Sequence, residues 1–141
     1  MNLFLRLPIY ERVALLENVS NHNTFIALLM MPEFRFLFRN PKLQSRIYKS
    51  RLDKYFSQYE VFYEENESLK DIYDRLEKLQ SDMETDINRL KRNIDKLVQR
   101  GKLMELKILS TINILPNQYE ANVAALDGKL NVLKWMKENN L

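Results

Sequence analysis

The side chains in this chain that could do chemistry are few and scattered. Its 141 residues include one histidine, His22, and no cysteine. That removes disulfides, thiolate zinc sites and cysteine nucleophiles together, and a single imidazole cannot build a metal site by itself. There is no glycine-rich loop to cradle a phosphate, since the sequence holds only two glycines. The carboxylates are spread along what reads as a solvated helix face rather than paired. No catalytic, cofactor-binding or metal-binding residues are assigned, and the chain reads as non-enzymatic. The densest array of one chemical type is a basic stripe, Arg89, Arg92, Lys96 and Arg100, at steps of three, four and four. Clustered cations are what phosphate contacts require, so nucleic acid is one reading of the stripe. A charged flank of an exposed heptad is the better one: Asp86 precedes Arg89 by about a turn, Asp95 adjoins Lys96, and no nucleic-acid motif accompanies them.

The elements that must position these residues are helices. Four prolines and two glycines all stand where a helix boundary is wanted: Pro8, Pro32, Pro41, Pro116, Gly101 and Gly128. A hydrophobic content of 45% is enough for a packed core, so the expected class is all-α, without disorder. The longest apolar run stops at Pro32, far below the roughly 20 residues a bilayer needs, and the start of the chain is broken too early for a signal-peptide core. The expectation is a soluble intracellular protein with no membrane partner.

The strongest periodicity runs through Leu69, Ile72, Leu76, Leu79, Met83, Ile87, Leu90, Ile94 and Leu97. This is a heptad seam with one stutter at Met83, and neither Gly nor Pro interrupts it. It predicts a helix over 69–100, roughly 48 Å long at about 1.5 Å per residue, capped by Ser68 with Asp71 and closed at Gly101. A second stripe, Tyr48, Leu52, Tyr55, Tyr59 and Phe62, precedes it. A hairpin bent near 64–68, laying the aromatic stripe on Leu69, Ile72 and Leu76, is favoured over one helix of about 60 residues. A seam without an internal partner would drive homodimerisation. Charge is segregated in step with these elements: 35–54 carries a net +6, 60–86 a net −7 and 87–107 a net +5.

The amino-terminal third reads as three short helices. Its residues resemble an F-box, the helical module that docks substrate receptors onto the Skp adaptor of cullin-RING ubiquitin ligases. Leu7-Pro8 falls on the opening Leu-Pro, Leu15-Leu16 on the paired aliphatics, and Val19-Ser20 on the Leu-Ser that ends the first helix. Phe34 takes the place of the usual tryptophan, Leu37 follows it by three, and Asn40-Pro41-Lys42-Leu43 is similar to the closing Asp-Pro-x-Leu. Tyr10, Glu11, Arg12, Thr24 and Gln44 depart from the pattern. The resemblance implies that Leu7, Pro8, Leu15, Leu16 and Val19 present an apolar patch to the adaptor. The alternative is a helical cap whose apolar faces close on one another and on the long helix.

In the carboxy-terminal third, Gly101-Lys102-Leu103 recurs 27 residues later as Gly128-Lys129-Leu130, and each is followed by a helical run containing Leu-Lys. The passage 121–140 resembles an ankyrin-type repeat of the shortened kind found in giant double-stranded DNA viruses. Ala124-Ala125 matches the alanine pair and Gly128 the inter-helix glycine, while Leu130, Leu133, Trp135 and Met136 form the outer-helix face; the consensus Thr-Pro-Leu-His is missing. An amino-terminal F-box together with ankyrin repeats occurs in such viruses.

The expected division is therefore an F-box-like cluster at 1–48, a helical hairpin or coiled-coil segment at 49–100, and degenerate ankyrin-like repeats at 101–141. The resemblances imply a viral interaction protein recruiting a host ubiquitin ligase, in the host cytoplasm or the virion. The alternative is a structural or virion-associated coiled coil that dimerises through the 69–97 seam.

Overall fold

The computed structural model describes residues 8–141. Among them it contains α-helices and short 3-10 segments and no strand. The helices are α1 (Ile9–Asn18), α2 (His22–Leu29), α3 (Pro32–Arg35), α4 (Pro41–Tyr55), α5 (Leu69–Thr85), α6 (Ile87–Arg92), α7 (Ile94–Gln99), α8 (Leu103–Ser110), α9 (Gln118–Leu126) and α10 (Leu130–Glu138). Their starts follow local chemistry. Asn21, Asn40 and Asn117 each accept a backbone N–H of the turn they open, and Pro32 and Pro41 occupy first-turn positions where a missing N–H costs nothing. Asn117 and Glu120 form a complete capping box.

The single helix expected over 69–100 is instead three. Asp86 has φ −155° and turns its side chain to accept the Arg89 N–H, ending α5 and capping α6. Asn93, at φ −108°, separates α6 from α7. At Asp86 a short polar side chain offers the backbone an alternative partner, whereas at Asn93 the backbone leaves helical dihedrals with no side-chain cap. The seam also slips in phase after the breaks: Ile72, Leu76, Leu79, Leu90 and Ile94 are buried, Leu69, Met83, Ile87 and Leu97 are only half-buried, and Val98 is fully buried one place beyond Leu97.

The chain forms two compact units. Helix α5 contributes to both. The first comprises Met1–Glu60 with Asn66–Asp74. Here α1 packs on α4, and the buried side chains include Val13, Leu16, Phe25, Phe34, Leu37, Ile47, Tyr48, Leu52, Phe56 and Tyr73. Phe25 lies edge-on to Tyr48 and Tyr73, with centroids 5.9 and 5.7 Å away, and Tyr48 and Tyr73 are 5.3 Å apart. The aromatic stripe of α4 therefore meets the start of α5, at Tyr73.

Among these rings lies Arg51, which is fully buried. Its guanidinium carbon is 4.0 Å from the Phe25 centroid. Nη1 donates to the carbonyls of Leu16 and Val19 at 2.8 and 2.6 Å, and Nε donates to the Tyr73 hydroxyl at 2.9 Å. The cation thus closes the carboxyl end of α1, where unpaired carbonyls carry partial negative charge.

The second unit comprises Val61–Glu65 with Arg75–Leu141. In it α7 packs on α8 and α9, and α9 on α10. Arg75 binds Glu105 through both Nε, at 3.2 Å, and Nη2, and its Nη2 also reaches Glu64 at 3.1 Å. Glu64 in turn accepts the Met104 N–H that opens α8. Burial acts to lower the Arg75 pKa, but the hydrogen bonds and charges of Glu105 and Glu64 outweigh it and hold it above its ordinary value. Burial likewise works to raise Glu64, and Arg75, the Met104 N–H and Lys102 together bring it below the usual carboxylate value.

Two outcomes follow for the first unit. Replacing Arg51 with Met leaves two carbonyls and a phenol without their donor and should cost about 3 kcal/mol in urea unfolding followed by circular dichroism; Lys should not restore it, because an ammonium lacks the planar fork. Tyr48 is pushed up from 10.0 to about 12, chiefly by burial and then by Asp74, against Arg51. The folded state thus holds this proton more tightly than the unfolded state. Its contribution, roughly 2 to 3 kcal/mol, is present below pH 10 and lost as pH rises toward 12. In unfolding titrations over that window, Tyr48→Phe should flatten the loss.

Candidate interaction site

The 27-residue recurrence is a structural repeat. Gly101 and Gly128 have φ of 66° and 65°, and Asn113 and Asn140, again 27 apart, have φ of 63° and 56°. The backbone hydrogen bonds correspond one for one. Lys102 N–H reaches Leu97 O at 2.9 Å as Lys129 N–H reaches Ala124 O at 2.8 Å, and Ile114 N–H reaches Leu109 O at 3.0 Å as Leu141 N–H reaches Met136 O at 2.9 Å. Each unit is a helix, a left-handed glycine turn, a second helix and a left-handed asparagine: α7 with α8, then α9 with α10. The glycines are needed because a Cβ at positive φ meets the following carbonyl. Asparagine tolerates the same region better than other non-glycine residues do.

Equivalent positions differ in exposure. Ile114 is 6% exposed and its counterpart Leu141 39%; Val98 is fully buried and its counterpart Ala125 exposed. In the first pair α7 is covered by α9; among the described residues no further pair follows the second. On either side of the Gly128 turn, Leu126 and Leu130 are 87% and 74% exposed. Of the outer-helix face expected from sequence, only Leu130 is on the surface. Trp135 and Met136 are buried and Leu133 is half-buried, because α10 turns its apolar stripe onto α9.

The amino-terminal patch is also rearranged. Leu7 lies outside the described residues. Leu16 is fully buried, Leu15 and Val19 are half-buried and Pro8 is exposed. Leu16 is consumed in the core as α1 packs on α4, and Leu15 keeps only part of its side chain outside. The apolar side chains left outside are others: Ile9, Tyr10, Ile26, Met30 and Phe36. Arg12, one turn after Ile9, lies with its guanidinium carbon 5.6 Å from the Phe36 ring centroid and donates to Glu33 O at 3.0 Å, which brings the α1 and α3 edges together. Sequence reasoning singled out none of these as surface. It also passed over Arg51 and Tyr73, although Arg51 stands three after Tyr48 and four before Tyr55, on the same helix face as both.

His22 is engaged at the Tyr73 hydroxyl, 3.1 Å from Nδ1. Among the described residues no group of three or more His, Asp or Glu is placed to hold a metal ion, and no helix is long and apolar enough to cross a membrane. No protein-family profile, curated protein or solved structure matches this chain.

The repeat makes a paired prediction. A Cβ at Gly128 would meet nothing within 4 Å, and one at Gly101 would meet only the flexible Lys129 side chain at 3.4 Å. Gly101→Ala and Gly128→Ala should therefore each cost about 1 to 2 kcal/mol through backbone strain alone. Nearly equal shifts in the urea midpoint are expected.

Proposed function

We propose that this chain is a non-enzymatic protein-protein interaction module, in which the amino-terminal cluster docks the Skp adaptor of a cullin-RING ubiquitin ligase and the carboxy-terminal helix pairs hold a target. The observation that supports it most is the duplicated helix-glycine-helix unit with matched hydrogen bonds. Stacked repeats bury one face against a neighbour and leave another for binding. The resemblance to ankyrin-type repeats rests on that unit together with Ala124-Ala125 and Gly128. Leu126 and Leu130, large apolar side chains held in water, are the side chains available to a target.

On the amino-terminal side the adaptor-facing surface is reassigned to Ile9, Tyr10 and Phe36, the apolar residues left exposed when α1 packs inward. A viral setting follows from the pairing of the two resemblances. The coiled-coil alternative is less well supported, since its helix is interrupted at Asp86 and Asn93 and most of its seam is already buried.

The test is a calorimetric titration of the purified chain against the Skp adaptor, with Tyr10→Asp and Leu126→Asp variants of checked helicity. Wild type should bind at micromolar Kd or better, Tyr10→Asp at least tenfold more weakly, and Leu126→Asp like wild type. Absence of binding by the folded wild type rejects the adaptor role.

A further inference from the structure

The second unit contains a cleft of about 530 Å³ between the later part of α5 and the edge of α6 and α7. Its apolar lining is Leu79, Leu90 and Leu97. Around it stand four exposed cations, Lys78 on α5, Arg89 on α6, Lys96 on α7 and Arg100 just past its end. Among the described residues none of the four has a carboxylate within ion-pair distance. By contrast, the guanidinium of Arg75 at the same cleft is fully engaged by Glu105 and Glu64. Three acids line it: Glu105, paired with Arg75, Asp86, occupied in capping α6, and Asp82. The cleft therefore carries unneutralised positive charge over an apolar floor, the arrangement that focuses a field onto a concave site.

Three of the cations belong to the stripe that suggests nucleic acid when read as sequence, yet the cleft is poorly made for a polyanion. No aromatic ring lines it to stack a base, and its floor is leucine. Leucines on the floor and cations on both walls are complementary to an amphipathic helix with leucine-type anchors on one face and carboxylates along its flanks. We propose that this cleft docks an acidic amphipathic helix of a partner polypeptide. The site is separate from the exposed leucines of the second repeat and from the adaptor-facing surface, so it stands whether or not those readings hold.

The test is fluorescence anisotropy of the full chain with a labelled synthetic peptide of leucine heptads flanked by glutamates, its counterpart with Gln for every Glu, and labelled oligothymidylate. The Glu peptide should bind at micromolar Kd, weaken as salt is raised, and exceed the Gln peptide at least tenfold. An Arg89→Glu, Lys96→Glu double variant, altered only at exposed positions, should lose at least tenfold with unchanged circular dichroism, whereas Lys42→Glu, on α4, should bind as wild type does. No binding of the Glu peptide, equal binding of the Gln peptide, an equal loss in Lys42→Glu, or tighter competing binding by oligothymidylate would each overturn the proposal.

Discussion

The first unit depends on a cation, Arg51, that has no carboxylate in ion-pair distance among the described residues. A guanidinium taken out of water ordinarily needs a carboxylate, and the pair then carries two desolvation costs. Arg51 avoids the second. Its acceptors are the last carbonyls of α1, whose partial charges are already fixed by the helix, and a tyrosine hydroxyl, while the face of Phe25 supplies the rest of the negative potential. One side chain of α4 thereby holds the end of α1, the ring of α2 and the first turns of α5. The same arrangement explains why Tyr48 stays protonated: the rings exclude water from the cation, and an ionised phenol in that setting would forfeit hydration that Arg51 only partly replaces.

The second unit rests on a different constraint, the placing of short polar residues where a helix must stop. Asp86 and Asn93 cut what the apolar pattern would make continuous, and the cut releases α7 to act as the first helix of a repeat unit. Glu64 then serves two purposes at once. Its carboxylate neutralises Arg75 and accepts the Met104 N–H at the start of α8, which has no side-chain cap of its own. Glu105 shares the same guanidinium from within α8, so a buried acid is tolerated there because its charge is matched across the unit.

The all-α class, several helix boundaries and the 27-residue period were legible because each rests on local chemistry: proline at a first turn and glycine at positive φ. The buried heptad positions Ile72, Leu76, Leu79, Leu90 and Ile94 were legible from spacing. The breaks were not, since counting apolar residues gives no weight to an aspartate that prefers to cap. Arg51 was hidden for the opposite reason. A charged residue on an aromatic stripe reads as a solvated edge, and only its neighbours in space make it core.

The two apolar faces named from spacing share one limit. Periodicity identifies an apolar face without saying what covers it. Leu16 and Trp135 lie on such faces, and in both cases another helix of this chain covers them. The repeat supplies the control that spacing lacks. Ile114 and Leu141 share a backbone conformation and a hydrogen-bond partner position, so their different exposure comes from their neighbours and not from the fold of the unit itself. Leu126 and Leu130 are the opposite case: no helix among the described residues covers them, and they stay in water on either side of the Gly128 turn.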